Sequence, residues 1–242
     1  MNQKIGVLDS GIGGTTVLKE IIKLLPNEEY VYYADTKNNP YGEKSEEELF
    51  NIVSKIVEFL INEKNCKMIV LACNTATTRC MKRLKKEYPN MLFVGTVPAI
   101  KVATDHKFKN TLVLATPATI ESERTKELIE VNKKDDQEIT LIPCKDLANA
   151  IERKDKAKIK SILLDLRKKT KDKKIDSIVL GCTHYSLIKK EIQSYFQDAI
   201  LLDGAFGVAK EVKRQLKEHH LLNKRGDFQI DYIDSKEEIS LR

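Results

Sequence analysis

Ile69-Val70-Leu71-Ala72-Cys73-Asn74-Thr75 and Ile178-Val179-Leu180-Gly181-Cys182-Thr183-His184 are near copies of one another, 109 residues apart. Each is a short β-branched apolar run that stops at a cysteine followed by small hydroxyl or amide residues. An unbroken run of about four to six such residues between polar neighbours reads as a parallel strand buried on both faces, with the cysteine at its carboxyl end. Carboxyl ends of strands are where open α/β sheets place their ligand sites. Two matched thiols in that position suit a reaction that takes a proton from one face of a carbon and returns one to the other.

Outward from these strands, apolar runs alternate with helical patterns. Strands are expected at Lys4 to Leu8, Tyr30 to Ala34, Met68 to Ala72 and Met91 to Gly95, with helices at Thr15 to Leu25, Glu46 to Asn62 and Thr75 to Glu87. Ser45 and Glu48 fit a capping box at the start of the second helix. The pattern then restarts with strands at Thr111 to Ala115, Glu138 to Ile142, Asp176 to Leu180 and Ala199 to Leu202. Its helices fall at Thr119 to Val131, Asp146 to Lys169 with a break near Arg153, and Tyr185 to Phe196. A helix over Val208 to Leu216 and a strand near Phe228 to Tyr232 close the chain. A second correspondence, Val7-Leu8-Asp9-Ser10 with Val113-Leu114-Ala115-Thr116, has a spacing of 106 residues, close to that of the cysteine strands. The expected fold is therefore α/β, with two similar doubly wound domains of mainly parallel sheet related by a pseudo-twofold.

The 242 residues, 41% of them hydrophobic, supply enough core for one large or two smaller domains. Residues Met1 to Lys4 run straight into the first strand without a basic stretch or cleavage site, and no apolar run approaches the ~18 residues of a membrane span. A cytoplasmic location and no membrane association are expected. In that compartment the five cysteines, Cys66, Cys73, Cys80, Cys144 and Cys182, stay reduced. The net charge of +6 attracts a small dianion. The lysine-rich stretch Lys154 to Lys174 has no interleaved aromatics and no recognition motif, so it reads as a solvated helix face rather than a nucleic-acid surface.

Four strings, Asp9-Ser10-Gly11-Ile12-Gly13-Gly14, Asn39-Pro40-Tyr41-Gly42, Cys73-Asn74-Thr75-Ala76-Thr77 and Gly181-Cys182-Thr183-His184-Tyr185, occur in the order and spacing of the glutamate racemases, cofactor-independent members of the aspartate/glutamate racemase group. The chain resembles that family over nearly its whole length. The resemblance implies interconversion of L- and D-glutamate, the D form serving bacterial peptidoglycan, with no cofactor and no metal. It also implies two α/β domains with the active site in the cleft between them, the tail returning to the first. Residues 1–96 plus 208–242 then carry Asp9 and Cys73, and residues 97–207 carry Thr116 and Cys182. Family members often form dimers, so a homodimer is expected.

The chemistry can be argued beside the resemblance. An amino acid's α-proton is weakly acidic, so the site must supply a placed base and stabilise the developing carbanion. A thiolate suits the role, yet a free thiol of pKa about 8.5 is only a few per cent ionised at neutral pH and needs help from neighbours. Asp9 is the candidate partner of Cys73, and His184 that of Cys182; the resemblance assigns the same roles. If each sulfur lies about 3 to 3.5 Å from the reacting carbon, the pair is on the order of 7 Å apart. By the family's pattern Cys73 takes the proton from D-glutamate and Cys182 from L-glutamate. The motifs hold no arginine, so anchoring falls to hydroxyls, amides and helix amino termini. Ser10, Pro40, Tyr41, Gly42, Asn74, Thr75, Thr116, Thr119 and Thr183 match the family's substrate contacts, as do Asp9 and His184. Glu152, eight residues after Cys144, matches a family acid that assists the histidine or binds the amine.

Departures from the family fall at Ile142-Pro143-Cys144, where the usual Cys-Pro order is reversed, at Thr96-Val97-Pro98-Ala99-Ile100, which lacks a common acid, and at Asp203-Gly204-Ala205. They bear on the substrate's side chain and leave aspartate racemisation, or another activity on the same scaffold, as an alternative. A more remote alternative is a non-catalytic protein binding an amino acid or DNA. The start of the chain close to its first strand leads to an expectation of no control by UDP-N-acetylmuramoyl-L-alanine, which other members bind through an amino-terminal extension. Cys66, Cys80 and Cys144 read as packing residues. The seven-residue spacing of Cys66, Cys73 and Cys80 matches no zinc signature, and Thr16 stands where a dinucleotide fingerprint needs glycine. His106, His219 and His220 have no supporting neighbours.

Overall fold

A computed structural model describes residues 3–223 and 229–237. In chain order the elements are β1 (Lys4–Asp9), α1 (Thr15–Leu24), β2 (Tyr30–Ala34), α2 (Glu46–Asn62), β3 (Cys66–Leu71), α3 (Asn74–Glu87) and β4 (Leu92–Gly95). They continue as α4 (Ile100–Asp105), β5 (Asn110–Ala115), α5 (Pro117–Glu121), α6 (Glu123–Asn132), β6 (Glu138–Pro143), α7 (Leu147–Glu152), α8 (Lys156–Lys169) and β7 (Ser177–Gly181). The last are α9 (Lys189–Tyr195), β8 (Ile200–Leu202), α10 (Ala205–Glu218) and β9 (Ile230–Asp234), and short 3-10 helices occupy Tyr41–Glu43 and Thr183–Ile188.

Two compact units result. One holds the residues up to Thr96 and those from Ala205 onward; the other runs from Val97 to Gly204. The boundary expected between residues 207 and 208 thus falls three residues earlier. The cause is α10, which starts at Ala205 and lays Ala205, Val208, Ala209, Val212 and Leu216 into the same apolar cluster as Val17, Leu18 and Ile21 of α1.

The first unit's sheet has the order β4-β3-β1-β2-β9 and the second unit's β6-β5-β7-β8, with every pair parallel. Helices cover both faces of each, so the inner strands are buried beyond their first residue and read as apolar runs over their centres. Side-chain alternation divides them cleanly. Val7, Tyr32 and Val70 face α1 and α10, whereas Leu8, Tyr33 and Leu71 face α2 and α3. In the second unit Leu112, Leu114, Ile178 and Leu180 pack with α7, α8 and α9, and Val113 and Val179 with α4.

Ser45 caps α2, its Oγ accepting from the Glu48 amide at 3.1 Å. The Glu48 carboxylate turns to Lys44 Nζ at 2.9 Å, so this cap rests on the serine and not on the reciprocal box. The helix expected over Thr119 to Val131 is two helices, because Ser122 is extended (ψ 142°) and its Oγ caps α6 by accepting from the Thr125 amide. The expected break near Arg153 falls before Lys156, where Asp155 Oδ1 accepts from the Lys158 amide at 2.9 Å. The segment expected as one helix from Tyr185 begins as the 3-10 helix and becomes α-helical only at Lys189. Helix α4 was not expected. The last strand lies two residues beyond its expected span, at Ile230–Asp234; Phe228 is outside the described residues.

Candidate active site

In the first unit the candidate residues converge on the carboxyl ends of neighbouring strands. Asp9 ends β1, and the loop after it wraps back so that Oδ2 accepts from the Gly11 amide at 3.2 Å and the Gly14 amide at 3.0 Å. Tyr32 Oη clamps the loop from below by donating to the Gly11 carbonyl at 2.6 Å. Glycine is needed at 14 because a Cβ there would lie 2.5 Å from Asp9 Cβ and 2.9 Å from both Asp9 Cγ and Tyr32 Oη. Gly14→Ala must therefore push the carboxylate aside. We expect a fall in turnover on the order of 10²-fold with little change in fold, checked by kinetics alongside circular dichroism.

Two residues past β3, Cys73 is the N-cap of α3, with Asn74 and Thr75 in the helix's first turn. A fourteen-residue helix beginning at a thiol places its amide donors and positive dipole end beside the sulfur, a position that favours thiolate. Asn74 Oδ1 is buried with no hydrogen-bond partner among the described residues. An acceptor in that state beside a thiol suits an ammonium donor. Pro40 follows a cis peptide, and Gly42 lies in the 3-10 helix that Tyr41 opens. Tyr41 Oη donates to Asp35 Oδ2 at 2.7 Å, and the Asn38 amide holds the same carboxylate. Burial first, then the Asp35 charge and the nearby Cys73 and Asp9, hold this hydroxyl well above its usual range, so it stays protonated. Ser10, directly after β1, is buried.

Asp35 escaped the sequence reading although it is fully buried and follows β2 directly, its amide donating to the Asp9 carbonyl at 2.9 Å. The signal was available, since the strand-end rule that singled out Asp9 applies equally to the end of Tyr30–Ala34.

The second unit repeats the placement at β5 and β7. Thr116 caps α5, its Oγ1 accepting from the Thr119 amide and donating to Thr119 Oγ1 at 3.0 Å. Cys182 follows β7, and its Sγ lies 3.9 Å from His184 Nδ1. On the other side of the ring, His184 Nε2 pairs with Glu152 Oε2, from the last residue of α7. When Nε2 carries the proton shared with the carboxylate, Nδ1 is left as an acceptor facing the thiol. The chain carboxylate, imidazole, thiol is the arrangement that activates a nucleophile or base. Thr183 is buried between Cys182 and His184, and Tyr185 Oη donates to the Cys144 carbonyl at 3.2 Å.

Cys66, Cys80 and Cys144 are buried among apolar side chains, Cys144 in the same cluster as Cys182. Burial pushes each of their thiols up to about 12. At pH 8 such thiols are ionised in about one molecule in 10⁴. Iodoacetamide at pH 8 is therefore expected to leave these three unmodified while it labels Cys73 and Cys182, as peptide mass mapping will show. Labelling of Cys66 or Cys80 at a comparable rate contradicts this.

The profile of the Asp/Glu/Hydantoin racemase family matches residues 5–210. The chain belongs to that family. It is 42% identical over 226 residues to the glutamate racemase of Clostridium acetobutylicum, covering 92% of this chain and 87% of the relative. Its fold is similar to that of the Francisella tularensis glutamate racemase in complex with D-glutamate, with a TM-score of 0.81, 28% identity, and coverage of 97% of this chain and 88% of the other. The Escherichia coli glutamate racemase, solved with L-glutamate and the activator UDP-MurNAc-ala, gives a TM-score of 0.78 at 26% identity over 96% of this chain and 99% of the other. Among the described residues no helix is long and apolar enough to cross a membrane.

Proposed function

We propose that this chain interconverts L-glutamate and D-glutamate by two-base proton transfer at the α-carbon, with Cys73 and Cys182 as the two bases. The observation that carries the reading is the Glu152, His184, Cys182 relay, set at one strand end of a racemase-family chain whose other unit presents a second thiol at the matching position. In the L to D direction His184 Nδ1 accepts the Cys182 proton, the thiolate takes the α-proton, and the Cys73 thiol protonates the opposite face. The reverse direction exchanges the two roles, with Asp9 beside Cys73 in the part that His184 plays for Cys182. Glu152 fixes the imidazole tautomer, so it acts as a positioning residue through His184. Both proton carriers are side chains of this chain, and the step needs no cofactor.

Substrate anchoring follows from the donors and acceptors at the strand ends. The amino terminus of α3, with Thr75, and the start of the Thr183–Ile188 helix, with Thr183, suit carboxylates. Asn74 Oδ1 suits the ammonium. Ser10, Tyr41, Gly42, Thr116 and Thr119 complete the set, with Pro40 shaping the loop that carries Tyr41. The product serves peptidoglycan synthesis. A homodimer and a cytoplasmic location belong to the same proposal, the first from the family's habit and the second because free thiols need a reducing compartment.

The test is incubation of the pure protein with L-glutamate or L-aspartate in deuterated water without pyridoxal phosphate. Loss of the glutamate α-hydrogen signal together with appearance of D-glutamate supports the reading. Exchange of aspartate alone shifts it to aspartate racemisation, and exchange of neither removes it.

A further inference from the structure

At the end of the second sheet opposite Thr116 and Cys182, the amino ends of β5, β7 and β8 border a cavity of about 940 Å³. Its walls are the loops that lead into those strands, together with the carboxyl ends of α8 and α9. Five cations line it, Lys107, Lys109, Arg167, Lys173 and Lys174, against two carboxylates, Asp176 and Asp198. Asp176 is partly spent on the chain itself, because Oδ2 accepts from the Lys109 amide at 3.1 Å and the Asn110 amide at 2.9 Å. Lys173 is held by Glu138. Lys107, Lys109 and Lys174 have no ion-pair partner among the described residues.

Cations after a helix's carboxyl end have an ordinary use, which is to offset its dipole. That use does not account for all of them here. Three helices, α4, α8 and α9, end beside the cavity, and each contributes at most about half a negative charge. Added to the two carboxylates and to Glu138, which pairs with Lys173, this leaves the site with a small positive excess carried by Lys107, Lys109 and Lys174. These ammonium groups are exposed and screened by water, and an anion seated among them adds to that screening. The remaining wall mixes Phe108, Tyr195 and Ile200 with the polar Ser194 and Gln197, and Ile200 is 52% exposed. The Arg167 guanidinium lies 6.0 Å from the Phe196 ring.

We propose that this cavity is a second ligand site, which takes a small molecule bearing several phosphate charges and a flat ring. Ammonium groups on flexible stems neutralise phosphate oxygens without demanding one orientation. The aromatic and aliphatic wall covers the ring, and the volume matches that of small-molecule sites, about 300–1,000 Å³. The site lies wholly within one unit, and none of its residues belongs to the proposed racemisation machinery.

Calorimetric titration at physiological salt, with inorganic triphosphate and with ATP as probes and no divalent metal, tests it. The expected result is saturable one-to-one binding of both, ATP the tighter, and a loss of about tenfold or more in Lys109→Glu/Lys174→Glu. Circular dichroism confirms that this variant is folded. Cys73→Ser keeps the binding, which separates this site from the thiols. Failure of both probes to saturate overturns the proposal, as does binding that ignores the charge reversal. Equal affinity for the two probes overturns the assignment of the ring to the apolar wall.

Discussion

Cys73→Ser and Cys182→Ser, made singly, are each expected to lower kcat/KM for racemisation by about 10²–10⁴-fold in both directions. Both directions fall because, in the mechanism proposed above, every turnover uses one sulfur as base and the other as acid. A serine hydroxyl keeps nearly the same shape but is far too weak an acid to ionise in either role. The double variant should lose little more than either single one, since groups that act as a unit are strongly non-additive. Two assays separate this mechanism from a single-base one. Circular dichroism of free glutamate follows inversion, and proton NMR in deuterated water follows α-hydrogen exchange. With Cys182 intact, Cys73→Ser should still exchange the α-hydrogen of L-glutamate with retention, faster than it inverts it, and Cys182→Ser should do the same for D-glutamate. Cys144→Ala is the control. It removes a buried thiol from the apolar cluster that holds Cys182, and it should leave the ratio of exchange to inversion unchanged. Near-normal inversion in either serine variant would eliminate the two-thiol assignment.

The parts of this fold that are legible in the sequence are those where one physical demand acts alone. Strands β1, β3, β5 and β7 sit inside parallel sheets with both faces covered, so their central positions are apolar and the run is plain. The strand-end rule then leads straight to Asp9, Cys73 and Cys182. Where two demands compete, the reading blurs. The segment 183–188 is apolar enough for a helix, yet it must hold Thr183 and His184 beside Cys182, and it adopts the tighter 3-10 form. Ser122 sits in a helical pattern, but its hydroxyl satisfies a backbone amide better as a cap than in mid-helix. Helix α4 is six residues long, too short to show a period. Glu152 meets His184 only because α7 and the loop after β7 are neighbours in space, a long-range pairing that composition and spacing do not encode. Resemblance alone pointed to it.

The largest expected loss of stability lies far from the thiols, at the amino ends of the first unit's strands. Lys67, in β3, is 3% exposed, and its Nζ is 2.7 Å from Glu28 Oε2, itself 1% exposed. The same ammonium donates to the Leu221 carbonyl at 2.7 Å and to Asn223 Oδ1 at 2.9 Å, and the Asn223 backbone N–H donates to Glu28 Oε1 at 2.8 Å. One buried charge pair thus fixes the segment after α10 against the sheet. Lys67→Met keeps the aliphatic stem but leaves a buried carboxylate and two acceptors without their cation, a change that costs about 3–5 kcal/mol. The double variant Glu28→Leu/Lys67→Met removes both charges and should recover much of that loss, because replacing a buried pair with apolar groups is often close to neutral. Urea unfolding of the wild type, the single and the double variant measures the difference, and hydrogen exchange of the β1 and β3 amides assigns it to this unit. Should the single variant lose less than about 1 kcal/mol, water reaches Glu28 in solution and the pair is not the anchor described. Because α10 also packs along α1, the variant's exchange should rise in β1, β3 and the residues around Asn223 before it rises in α1. That order separates release of the tail from general unfolding.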